Sequence, residues 1–135
     1  VSRALNRIRG AKTLVMLGYG LGVQSGGSLN MRADYAAARD MLAYSRTTVF
    51  SLDITEADYH TLEEGLKKVS ADTGGFYVNT YHFPTMAFER LANTLSGRYE
   101  IVVKKPDIEP GRHDVDVRVK PRAYHVQVPW SMIVK

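Results

Sequence analysis

The stretch TLVMLGYGLG, Thr13 to Gly22, ends an apolar run in alternating glycines, a pattern open to three chemistries. Gly18, Gly20 and Gly22 can cradle a phosphate, hold a metal-binding loop, or make a turn that is tight and nothing more. A dinucleotide fingerprint needs a small residue at position 23, where Val23 stands, and a helix opening at once to face the pyrophosphate. The next helix signal, Asn30, comes only after a glycine- and serine-rich loop. Asp53, the acid at the following strand end, lies well beyond the spacing of about 20 residues that a ribose contact requires. No Gly-Lys-Ser/Thr follows the glycines, which removes the phosphate loop of nucleotide hydrolases. The turn reading, a strand end needing φ > 0 and close backbone approach, is favoured.

Other reactive residue types are thinly spread. The four histidines, His60, His82, His113 and His125, include no pair at i+3 or i+4, so no helical metal pair exists. His113 and His125 can meet across neighbouring strands, or each is simply a half-exposed strand residue. Ser25 sits in GVQSGG, which is not the Gly-x-Ser-x-Gly elbow of a nucleophilic serine. Glu63 and Glu64 are adjacent, point to different helix faces and cannot act as a facing carboxylate pair. With no cysteine, disulfides, thiolate metal sites and cysteine nucleophiles are excluded. The segment YVNTYHFP gathers Tyr77, Tyr81, His82 and Phe83, either as a contact surface or as a lid over the core.

The elements that must position these residues follow from periodicity. SRALNRIRG reads as the last turns of a helix, with Gly10 after it. KTLVMLG is apolar without alternation, as in a parallel strand buried on both faces. Residues 18 to 30 read as an irregular loop. Asn30 is the expected cap of a helix over MRADYAAARDMLAYS, with Ala37, Met41 and Tyr44 on one face. TTVFSLD is a β-branched strand ending at Asp53. YHTLEEGLKKVSADTGG is a helix with a Leu62–Leu66–Val69 stripe, ended by Gly74 and Gly75. FYVN is a short strand, and Pro84 opens a last helix with Phe88, Leu91 and Leu95 inward. From Arg98 the pattern alternates, in RYEIVVKK, HDVDVRVKP and AYHVQVP, as in an antiparallel sheet with one wet face.

The 135 residues make one domain or one compact piece of a larger one, long enough to bury roughly two-thirds of the unfolded surface. No stretch approaches the roughly 18 apolar residues of a membrane span. The formal charge of +4 is dispersed, without the dense basic run of a nucleic-acid tail. The fold expected is α/β: a partial doubly wound, Rossmann-like parallel sheet with flanking helices over residues 1–98. An antiparallel β-meander extends it over 99–135, and its first strand can join the main sheet. Free-standing doubly wound domains usually carry about five or six strands, so the chain reads as the second half of a domain.

Lys12 at the head of a strand, Asp53 at the end of the next, Thr73-Gly74-Gly75, Arg98-Tyr99 and Gly111-Arg112-His113 recur here in a characteristic order. In that order the chain, over about residues 1 to 125, resembles the latter half of a von Willebrand factor A-type domain, most of all the VWFA-related proteins abundant in acidobacteria. The resemblance implies a metal-ion-dependent adhesion site built from an Asp-x-Ser-x-Ser loop, a threonine and a fourth-strand aspartate, suited to Mg²⁺. That loop is missing from this chain; DITEA, Asp53 to Ala57, lacks both serines. The fourth-strand aspartate would fall in LGYGLG, where Tyr19 stands before Gly20, and a phenol is a poor Mg²⁺ ligand. No metal or other cofactor is therefore expected, with Mg²⁺ only if an N-terminal half supplies ligands.

The resulting expectation is a non-enzymatic protein-interaction domain without a functional adhesion site. Its partner-binding residues are Tyr19, Leu21, Gln24, Tyr59, Tyr81, His82 and Phe83, in loops 18–30, 54–60 and 78–84 at the carboxyl ends of the strands. The alternative is a structural subunit of a larger, membrane-associated assembly. It would use its open sheet edge and tail contacts at Tyr124, Val126 and Trp130. A nucleotide-binding enzyme fragment is the third reading. The expected partner is a protein, a larger complex or the other half of the domain, with neither nucleic acid nor a direct membrane span. A periplasmic or cell-surface location is what the resemblance implies.

Overall fold

The structure is a computed structural model that describes residues 2–99, 101–102, 104, 107–120, 126–129 and 131–134. It is a mixed α/β chain, as the apolar runs and helical stripes require. Helix α1 (Ser2–Leu5) leads into β1 (Lys12–Gly18), then a hairpin of β2 (Val23–Ser25) and β3 (Ser28–Asn30). Helix α2 (Tyr35–Tyr44), β4 (Thr47–Asp53), α3 (Glu63–Thr73), β5 (Tyr77–Asn79) and α4 (Pro84–Ser96) follow in strict alternation. The strands β6 (Gly111–Asp114) and β7 (Ser131–Val134) form a separate antiparallel pair. The main sheet has the order β1-β4-β5, parallel throughout, with Lys12 opposite Thr47, Gly18 opposite Asp53, and Asp53 opposite Asn79.

Residues alternate across the central strand β4 and so divide the core in two. Val49 packs with Leu42 of α2 and Val69 of α3, backed by Leu5, Leu14 and Met16. On the opposite face Phe50 and Leu52 join Phe76 and Leu91 of α4, with Val15 and Val78. The face toward α2 and α3 also carries Thr47, Ser51 and Asp53 of β4, and each finds a helix or loop partner. Thr47 Oγ1 meets Ser45 Oγ at 2.8 Å, and Ser70 Oγ donates to Ser51 Oγ at 2.8 Å. Asp53 ends the row and is fully buried. Burying polar groups at this density is tolerable because each is hydrogen-bonded.

Several local expectations need correction. Residues 18–30 are not irregular: Gly26 and Gly27, at φ of 58° and 78°, make the two-residue turn of the β2–β3 hairpin. Both central residues of such a turn need positive φ, which a Gly-Gly pair meets without strain. Asn30 closes β3, and the residue preceding α2 is Asp34, which makes no side-chain capping bond. The inward stripe of α2 is Tyr35, Ala38 and Leu42, while Ala37 and Tyr44 face outward. In α4 Ala87 and Leu91 are buried, but Phe88 and Leu95 are exposed, because one edge of that helix has no layer beyond it among the described residues.

The tail differs most. Tyr99, Ile101 and Val102 are exposed and in no strand, so the described part of RYEIVVKK does not join the main sheet. Of HDVDVRVKP only the start is strand; Val115 and Val117 keep their half-buried alternation without a ladder. Alternation fixes which side chains turn inward, but a strand exists only where a neighbour takes its backbone bonds. The β6–β7 pair folds back on α2, and Arg112 Nη1 reaches Asp40 Oδ1 at 3.0 Å. Val128 and Pro129 lie directly over Gly74 at the end of α3, where no Cβ has room.

Candidate functional site

The carboxyl ends of β1, β4 and β5 converge on one edge, where ligands of open α/β sheets bind. The glycine run belongs to this edge. Gly20 and Gly22 have φ of 152° and 111°, and a Cβ at Gly20 would collide with the Leu62 side chain. Leu21 N donates to Leu62 O at 3.1 Å, so the loop is sewn to the start of α3. The space beside Gly20 is filled by protein, and a hairpin stands where a phosphate-facing helix would open. Close approach and positive φ are the reason for Gly20 and Gly22, whereas a Cβ at Gly18 would meet open space.

Behind that loop lies a cluster the spacing arguments missed. Asp53, at the end of β4, accepts a bond from the Thr55 backbone N–H on Oδ1 at 2.9 Å. Its Oδ2 takes two more, from His60 Nε2 at 2.7 Å and from the Tyr77 hydroxyl at 2.9 Å. An ionised carboxylate only accepts, so His60 carries its proton on Nε2. The Tyr77 oxygen also lies 3.2 Å from Glu63 Oε2, its one proton shared between two carboxylates. Glu63 begins α3, where the helix dipole favours a negative charge, and its other oxygen, Oε1, holds the Lys67 ammonium. Four segments thus meet: the end of β4, the loop after it, the first turn of α3, and β5.

Electrostatics follow from burial and these bonds. Burial alone would raise the Asp53 carboxyl, but the bonds from Thr55, His60 and Tyr77 outweigh it and hold the group below its usual 3.8. Burial pushes the Tyr77 phenol far up from 10.0, and the bond to Asp53 and the charges of Asp53 and Glu63 add to the rise. Tyr77 is therefore a neutral donor under all ordinary conditions. Its contribution to stability is intact below pH 10 and erodes as pH rises beyond that, where the unfolded chain's phenol ionises first. Tyr77→Phe keeps the ring and deletes the donor, with an expected loss of about 1.5–3 kcal/mol at neutral pH. Its denaturant midpoint should also fall less than the wild type's between pH 9 and about 11. An unchanged midpoint at neutral pH would mean that the hydroxyl contributes nothing.

The expected contact residues divide between surface and interior. Tyr19, Tyr59 and Phe83 are about two-thirds exposed and Tyr81 half exposed; Gln24 and His82 are also on the surface. Tyr81 and His82 stack edge-on, their ring centres 5.1 Å apart. Leu21 instead turns toward the Leu42–Val49–Val69 core, and Val126 is half-buried. Tyr124 and Trp130 lie outside the described residues. Thr55 Oγ1 donates to Tyr19 O at 3.4 Å, which joins the glycine loop to the loop after β4. Sequence reasoning set Glu63 aside because Glu64 cannot face it, yet its facing carboxylate is Asp53 across Tyr77. The usable signal was an acid closing a buried strand, with a histidine and a glutamate in the next helix's approach. At the opposite edge Arg7, Arg9, Lys12 and Arg46 line one polar depression; the Lys12 ammonium there is spent on the carbonyls of Ile8 and Gly10.

Fold and site together define an open parallel α/β sheet with an acid–imidazole–phenol cluster at its carboxyl edge. No family model matches the chain, and neither a curated protein nor a solved structure matches it. Among the described residues no helix is long and apolar enough to cross a membrane.

Proposed function

We propose that the chain is a non-enzymatic protein-interaction unit of von Willebrand factor A type, acting through its carboxyl-edge loops. The supporting observation is the set of exposed aromatics there: Tyr19 at 69%, Tyr59 at 67%, Phe83 at 67% and Tyr81 at 49% of full exposure. Rigid aromatic side chains supply large contact area at small entropic cost and anchor interfaces more often than other types. The loops bearing them are held by Asp53, Asn79 and Leu62, so the face is pre-formed. An adhesion-type Mg²⁺ enters this reading only through residues outside this chain. A periplasmic or cell-surface setting belongs to the same proposal.

Tyr19→Ala and Tyr81→Ala test it. Immobilised wild-type protein should retain a partner stoichiometrically from fractionated extract, and each variant should lose at least about tenfold in affinity. Melting temperatures should move by no more than about 2 °C, since both rings are largely in solvent. Undiminished retention by both variants defeats the proposal, and so does a large stability loss in both.

A second reading, a structural subunit within an assembly, is favoured by β1. This seven-residue strand pairs only with β4 among the described residues, and Leu17 on it is 58% exposed. An open apolar edge invites another strand. Sedimentation should then show mass rising with concentration, and Leu17→Lys should abolish the rise.

A further inference from the structure

Asp53, His60 and Glu63 offer one imidazole and two carboxylates whose ligand atoms all lie within 4.8 Å of one another. An ion bound at about 2.0–2.2 Å to each would hold those atoms roughly 3–3.5 Å apart, within reach of side-chain rotation alone. The orientation of the two acids favours this. Each has one oxygen anchored by a group outside the donor set, Asp53 Oδ1 by the Thr55 N–H and Glu63 Oε1 by Lys67. The second oxygen of each is turned to the common centre, where both meet the Tyr77 hydroxyl. Anchoring of that kind fixes ligand direction in metal sites. Two nearly fully buried carboxylates also stand against one ammonium, and a dication would offset the remaining charge.

We propose that Asp53, His60 and Glu63 bind a first-row transition dication of the zinc type, leaving a fourth position open. The ion replaces the Nε2 proton that His60 gives to Asp53 Oδ2, and the neutral ring then carries its proton on Nδ1. Imidazole with carboxylate suits Zn²⁺, whereas Mg²⁺ and Ca²⁺ prefer oxygen alone. Three protein ligands leave a tetrahedral ion one site for water or an incoming donor. The His60 side chain, 18% exposed, gives the ion its approach from solvent. The Tyr77 hydroxyl bonds the same two ligand oxygens, sets their direction toward one another, and acts as a positioning residue. This site goes beyond the interaction reading and stands or falls without it.

The test is calorimetric titration of the chelator-treated full chain with ZnCl₂, alongside thermal melts. One equivalent should bind saturably and raise the melting temperature, and excess Mg²⁺ should not displace it. His60→Gln should abolish the binding while its metal-free melting curve still shows a cooperative fold. Tyr77→Phe should weaken binding by about 10–100-fold. His113→Gln, a control on β6 outside the cluster, should bind as the wild type does. Absence of saturable binding by the wild type overturns the proposal. So does binding that survives His60→Gln, or equal competition by Mg²⁺.

Discussion

Gly75→Ala is expected to remove about 3 kcal/mol or more of stability, beyond the usual overpacking range, because the obstruction is backbone. Strand β5 has only three residues, so the amino half of β4 has no strand on that side. The chain leaving α3 takes its place. Thr73 Oγ1 accepts the Val49 N–H at 2.9 Å, and the Ser51 N–H bonds to Phe76 O at 2.9 Å. To run between those two bonds, Gly75 lies flat against the strand, and a Cβ there would strike the carbonyl of Val49. Val49 is completely buried at the centre of the sheet and cannot retreat. Total stability for a domain is about 5–15 kcal/mol, so the variant should melt at least about 10 °C lower or fail to fold. Gly97→Ala is the control, since its new Cβ would meet only Asn93 O at an ordinary 3.5 Å. Equal melting temperatures for Gly75→Ala and wild type would show that the Val49 contact does not constrain the fold.

Asp53→Ala is expected to cost about 3–5 kcal/mol, the scale for leaving buried charged and polar partners uncompensated. It frees the Thr55 N–H and the His60 Nε2–H together, leaves the Tyr77 hydroxyl with Glu63 alone, and loosens the loop that carries Tyr59. Asp53→Asn should lose only about 1–2 kcal/mol, because its carbonyl still accepts from Thr55 and His60 can change tautomer to accept from the amide. The pH dependence separates charge from shape. A carboxyl whose folded value lies below 3.8 contributes stability that is complete above the unfolded value and lost as pH falls through the folded one. Wild-type melting temperature should therefore drop steeply below about pH 4, and Asp53→Asn should lack part of that slope. Parallel acid profiles for the two proteins would mean that Asp53 is not ionised in the fold.

Much of the architecture was legible because burial leaves periodic traces. KTLVMLG and TTVFSLD are apolar or β-branched through their length, and both are strands of a parallel sheet. Leu66 and Val69 are buried on α3, Gly74 adopts the left-handed cap that ends it, and Pro84 stands in the first turn of α4. The SGGS turn was equally readable and passed over, since the strands flanking it are too short to alternate visibly. The tail misled because Val115 and Val117 record which side faces inward and say nothing about what pairs with them, and Val119, which continues the pattern, is exposed.

The site is another matter. Sequence by itself determined that Asp53 closes a strand and that no cysteine chemistry exists here, and it favoured the tight turn that Gly20 and Gly22 make. Only the tertiary structure decided that Asp53, His60, Glu63 and Tyr77 share one centre. The parallel register sets Asp53 opposite Asn79, and the loop after β4 then returns His60 and Glu63 to the same edge. Local spacing records the neighbours on one helix or strand. Contacts between the ends of separate strands depend on register and crossover, which no interval along the chain encodes.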